Sequence, residues 1–172
     1  MPLPIPFLSY LILIMSTAFT LWLEKMFATY HTDEVVDKLT RLGWRYLNGG
    51  SYKSVYHKPG VPYLIKVALN GSSNKRLDGK AGLDSMAEFT MPDMINNLPY
   101  LAYGKALNTD WAGEVIDTAW GIQEKCKVIL YDLIGVYTGK RMDAIRTKFR
   151  SNPDNHSNNI GMTYGGRWVQ FD

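Results

Sequence analysis

The chain has 172 residues, 46% hydrophobic and 20% charged, which gives room for one domain with a real core and excludes an intrinsically disordered chain. Its formal net charge of +3 is scattered, without a Lys/Arg cluster interleaved with aromatics, and this argues against a nucleic-acid interface. A single cysteine, Cys126, rules out an intramolecular disulfide and a cysteine-based zinc site, and a reducing compartment fits best.

The first predicted element is an apolar helix. Met1 to Leu23 carries no charged side chain, and Phe7 to Leu23 (FLSYLILIMSTAFTLWL) is almost wholly apolar. As a helix, that run would be about 25 Å long, at the short end for crossing a bilayer. The N-terminus lacks the positive side chains of a secretory signal, while Lys25, Lys38, Arg41 and Arg45 follow the run. An uncleaved anchor with the remainder in the cytoplasm is therefore expected, residues 1–25 being the anchor and 26–172 the domain. A core helix that is apolar all round, or a domain that begins at Met26, would leave the same trace.

Helix grammar follows in HTDEVVDKLTRLGW, with Thr32 as N-cap, Asp33 and Glu34 in the first turn, an apolar face of Val35, Val36, Leu39 and Leu42, and Gly43 as the stop. Two β-rich runs, WRYLNGGSYKSVYHK and PYLIKVALN, predict a hairpin with a glycine pair inside its first strand, turned by Lys58-Pro59-Gly60-Val61-Pro62. Residues 70–83 read as a polar loop, and SMAEFTMPDMINNL as a helix that Pro92 kinks or divides. Strands are expected around LAYGKALN and AWGIQEK, then a helical stretch within VILYDLIGVYTGKRMDAIRTKFR. A polar run, PDNHSNN, leads into a closing hairpin that turns at Gly165-Gly166.

Read in order, these segments resemble the protein-kinase-like family over roughly residues 43–172. Gly49-Gly50-Ser51-Tyr52-Lys53-Ser54-Val55 is similar to a glycine-rich loop, with Gly50 at a family glycine, Tyr52 at the aromatic tip and Val55 at the valine that covers the adenine. Glycine lets backbone amides approach phosphate oxygens, although a Gly-Gly pair is equally the material of a β-bulge. Asn48 and Lys53 stand where the family has its other two glycines. Eleven residues beyond Val55, Lys66 in Tyr63-Leu64-Ile65-Lys66-Val67 resembles the lysine of the V-A-I-K strand. Strand alternation puts Leu64 with Lys66 on one face and Ile65 with Val67 on the other, so both faces read as buried and the ammonium needs company. Glu88, on the helix SMAEFTM, matches the family's helix-C glutamate; amphipathicity alone would make it a solvated surface residue.

Asp154-Asn155-His156-Ser157-Asn158-Asn159 resembles the catalytic loop, in the D-x-H-x-x-N form of aminoglycoside- and choline-kinase-like enzymes. Asp172 lies thirteen residues beyond Asn159, the family's spacing from the loop asparagine to the aspartate of D-F-G. Mg²⁺ prefers hard oxygen ligands, and a hairpin between these two residues would return the chain so that both meet one ion. The resemblance implies an α+β, kinase-like fold: a β-rich N-lobe with helix C and a much reduced C-lobe, preceded by the apolar helix. It implies an ATP- and Mg²⁺-dependent phosphotransferase acting on a protein or small-molecule hydroxyl. Lys66 would hold phosphates, Glu88 orient Lys66, Asp154 act on the acceptor, and Asn159 and Asp172 bind metal. The size is similar to that of small predicted bacteriophage kinases, or to a truncated gene product. The alternatives are a catalytically inactive pseudokinase and a membrane-tethered interaction protein.

Overall fold

The computed structural model describes residues 5–49, 53–69, 96–109, 111–128, 147–149 and 160–171. It is an α+β chain in two compact units, Met1–Thr90 with Tyr100–Gln123, and Met91–Pro99 with Glu124–Asp172. The expected loop at 70–83, the helix bearing Glu88 and Pro92, most of the helical stretch after Val128, and Gly50, Tyr52, Asp154, Asn159 and Asp172 lie outside the described residues.

In the first unit, α1 (Ile5–Thr29) and α2 (Thr32–Arg41) accompany a five-stranded sheet of order β1-β2-β3-β5-β4. Its strands are β1 (Arg45–Gly49), β2 (Lys53–His57), β3 (Tyr63–Leu69), β4 (Tyr100–Ala106) and β5 (Thr118–Glu124). The first β-rich run thus breaks into two antiparallel strands after Gly49, instead of continuing through the glycine pair as one. The turn expected at 58–62 joins β2 to β3, with Gly60 in the left-handed region at φ +78° and the Val61 amide donating to the Lys58 carbonyl at 3.2 Å.

One face of this sheet is covered by helix. Tyr63, Ile65 and Val67 from β3, with Trp120 and Ile122 from β5, form a core with Leu23 and Phe27 of α1, Val35 and Leu39 of α2, and Trp44. Phe27 stacks on Trp120 with ring centroids 5.8 Å apart and planes 9° off parallel. Phe19 reaches Trp44 at 5.4 Å and Tyr63 at 5.5 Å. Burying a side chain such as Leu23 or Phe27 contributes about 1.5–3 kcal/mol. Helix α1 therefore runs across the expected boundary at 25/26, and Leu23 before it is as fully buried as Phe27 after it. Among the described residues, no helix is long and apolar enough to cross a membrane.

Leu107 pins the corner between the helices. Its amide donates to the Phe27 carbonyl at 3.2 Å, and its carbonyl accepts the Thr32 amide at 3.0 Å, so one residue satisfies a terminal group of each helix. The Thr32 hydroxyl also donates to that carbonyl, at 2.8 Å. It is therefore not the expected cap: Thr32 is the first helical residue, and His31, in extended conformation, holds the cap position without a side-chain hydrogen bond. The stop is as expected. Gly43 takes φ +93°, its amide donates to Thr40 and that of Trp44 to Leu39, each at 3.0 Å, and Trp44 and Leu39 both join the core, which is a complete Schellman ending.

In the second unit, β6 (Cys126–Val128), β7 (Ile160–Thr163) and β8 (Trp168–Gln170) form an antiparallel sheet in that order. Val128, expected to open a helix, is in β6. The closing hairpin forms as predicted: Gly166 at φ +87° follows a turn in which its amide donates to the Thr163 carbonyl, and the Thr163 hydroxyl accepts the Arg167 amide at 3.1 Å. Residues 96–98, expected at the end of a helix, instead lie along β8. Asn97 bridges Gln170 in parallel, the Leu98 amide donates to Gln170, and Gln170 donates to Asn96, both at 2.9 Å. Asn96 takes φ +58°, a conformation that ends helical geometry.

Candidate functional site

The sheet face opposite the helices is built by strand register. In β3, Tyr63, Ile65 and Val67 point into the helix-side core, which sends Lys66 and Ala68 to the other face. Antiparallel pairing sets Val55 directly across from Lys66 and Lys53 across from Ala68. Side chains of directly paired residues share a face, so Lys53, Val55, Lys66 and Ala68 form one patch in which the two lysines are diagonal neighbours. On β5, Ala119 packs with Ala68 and with Tyr100 of β4.

Lys66 is only 3% exposed. Its Nζ lies 5.5 Å from the centroid of the Tyr100 ring, a cation–π partner that offsets part of the cost of burying an ammonium. Tyr100 pairs with Gln123, itself buried, at the end of β5. A single residue, Lys125, links β5 to β6, and desolvation lowers its pKa below the usual lysine value. Gln123 and Glu124 thus close β5, and Cys126 opens β6.

Of the expected site residues, Val55 and Lys66 are brought together, and Gly49 ends β1 opposite Ser54. Gly50, Tyr52, Glu88, Asp154, Asn159 and Asp172 lie outside the described residues. Among the described residues, no group of three or more His, Cys, Asp or Glu side chains could hold a metal ion. Sequence reasoning passed over Tyr100 and treated Lys53 only as a departure from a glycine position. Alternation puts Lys53 on the same face of β2 as Val55, and the register of β2 on β3 then brings it beside Lys66.

A groove of about 340 Å³ opens on the helix-covered side, lined by Thr32, Asp33, Asp37, Ser54, Tyr56 and Asn108 among others. Burial raises the Tyr56 phenol above the usual 10.0, while a hydrogen bond with Ser54 pulls the other way and Tyr46 raises it further. This groove is on the face away from Lys66. A scan against protein-family models finds no match to the chain, and a search of curated proteins finds none either.

Proposed function

We propose that the Lys66 face of the five-stranded sheet binds the phosphates of a magnesium nucleotide, and that the chain is a phosphotransferase of minimal size acting on a protein or small-molecule hydroxyl. The observation that carries this reading is a nearly fully buried lysine on the third strand, with a second lysine diagonal to it on the neighbouring strand. In protein kinases the phosphate-binding lysine occupies the third strand beneath a glycine-rich loop. Small side chains, Ala68 and Ala119, share this face with Val55.

From motif order, Glu88 orients Lys66, Asp154 receives or directs the acceptor proton, and Asn159 and Asp172 hold Mg²⁺, which would neutralise charge on the transferring group. A pseudokinase reading draws on a specific feature: Lys53 begins β2 where the family carries a glycine, so the turn differs at the point that closes over phosphates. Two measurements on the full chain separate these outcomes. Mg·ATP at millimolar concentration raises the melting temperature, Lys66→Ala blunts the shift, and a flat response in the unsubstituted chain sinks both nucleotide readings. Asp154→Asn abolishes phosphoryl transfer and leaves the thermal shift intact; a thermal shift without transfer in the unsubstituted chain favours the pseudokinase.

A further inference from the structure

Two corners of the first unit leave large apolar side chains in solvent, and they carry opposite charge. The first is the connection between β4 and β5. Its base is set by the bridge between Thr109 and Val115 and by the Ile116 amide, which donates to the Asn108 carbonyl at 2.9 Å, and Gly113 takes φ +83° within the turn. Trp111 stands 98% exposed on this turn, and Val115 81%. From Ala106 to Glu124 the sequence holds Asp110, Glu114, Asp117 and Glu124 and no Lys, Arg or His. Glu114 is exposed, and the hydrogen bonds between Leu107 and Thr32 set this corner beside the exposed Asp33 and Glu34 of α2.

The second corner is the other end of α2. Leu42, Tyr46 and Leu47 are exposed there, Tyr46 by 60%, beside the exposed Arg41 and Arg45, and the Lys58 side chain runs along Gly43. The sequence has no Asp or Glu between Asp37 and Asp78. A helix with acids first and bases last is what its dipole favours, but the dipole puts no aromatic or leucine in water at either end. Single exposed apolar residues are ordinary, whereas grouped ones mark a contact.

The two corners stand apart within one molecule. Helix α2 has 10 residues and so rises about 15 Å between them. Trp111, 98% exposed, does not reach the basic corner of its own chain. Its acidic surroundings turn it away from nucleic acid and from anionic lipid. The complement is on the next copy: the indole is the best π face for an arginine, and Trp, Tyr and Arg are the residues on which interfaces most depend.

We propose that copies of this chain associate head to tail, the Trp111 turn of one seated on the Leu42, Tyr46 and Leu47 corner of the next, with the acidic charge of the first against Arg41 and Arg45. One patch meets a different patch, so the contact is heterologous. The test is sedimentation of the full chain over a concentration series at low and at high salt. Association is expected to grow with concentration and to weaken with salt. Trp111→Ala is expected to leave the melting temperature unchanged and to weaken association about thirtyfold. Arg45→Glu weakens it about tenfold. Each variant keeps one intact patch, so the two mixed should pair with the affinity of the unsubstituted chain and stop at a dimer. As a second measurement, Glu114→Cys and Arg45→Cys, each in a Cys126→Ser background, should form a mixed disulfide faster than either pairs with itself. A chain that stays monomeric, association that survives Trp111→Ala as a contact through α1 would, a mixture no better associated than its components, or cysteine variants that pair with themselves as fast as with each other would each overturn the proposal.

Discussion

On the helix-covered face of the five-stranded sheet, Ile65, Val67, Trp120 and Ile122 meet Phe27, Leu23 and Leu39, whereas the other face carries Lys53, Lys66 and Gln123 among small residues. Both faces are drawn from the same strands, and adjacent residues of β3 belong to opposite ones. The first face is filled by large rings at van der Waals contact. The second holds cationic side chains over alanines. Under the proposed function, the difference separates stability from nucleotide binding along a two-residue repeat, so substitutions one position apart should fail in different assays.

The largest effect is expected on the helix side. Phe27→Ala removes the ring stacked on Trp120 and should cost about 3–5 kcal/mol, read by denaturant unfolding. A chain beginning at Met26 loses Phe19, Trp22 and Leu23 together and should lack a cooperative transition altogether. If that shorter chain unfolds like the full one, α1 is not part of the core. On the opposite face, Lys66→Met keeps the packed stem and removes only the charge, so it should cost less stability than Phe27→Ala. It should nevertheless erase the stabilisation by Mg·ATP, about 2.7 kcal/mol at a hundredfold excess over Kd. Equal losses of stability in the two variants would dissolve the contrast between the faces.

Gly104→Ala probes how tightly the helix-side face is filled. A Cβ there would come within 3.0 Å of the Trp120 indole, and the substitution should cost about 1–3 kcal/mol through overpacking, with nucleotide binding retained. The smallest effect is expected from pH. Burial raises the phenols of Tyr56 and Tyr63 above the usual 10.0, so the folded state binds their protons more tightly than the unfolded one. Their contribution is complete below pH 10.0 and is lost as pH rises through the folded values, which melting temperatures taken above pH 10 should record. Ultraviolet titration should show late-ionising tyrosines that disappear in Tyr56→Phe and Tyr63→Phe.

Local signals were readable where a residue's neighbours in sequence are its neighbours in space. Val35 and Leu39 one helical turn apart, Gly43 after them, and the alternation around Lys66 foretold α2, its ending and the burial of the lysine. The break after Gly49 was harder to see, because strand-forming residues flank the glycines on both sides and only pairing partners decide where one strand ends. Lys53 beside Lys66 and the ring of Tyr100 depend on register between strands, which no local pattern encodes. The fate of α1 was ambiguous for a further reason. Leu23 and Phe27 would look the same in sequence whether aromatic rings or lipid tails surrounded them.

The pairing of Phe27 with Trp120 also sets a clock on the ribosome. Helix α1 is made first, and β5, which supplies its stacking partner, is made after every other strand of that sheet. At ordinary rates of chain growth, β5 follows α1 by about 5–20 s, an interval in which the most apolar stretch of the nascent chain has none of its β5 contacts. Long-range closure of this kind makes folding slow. A chaperone or a nearby bilayer that occupies α1 during those seconds would keep the unfinished chain from aggregating, and the emergence of β5 would then be the event that recruits Leu23 and Phe27 into the domain.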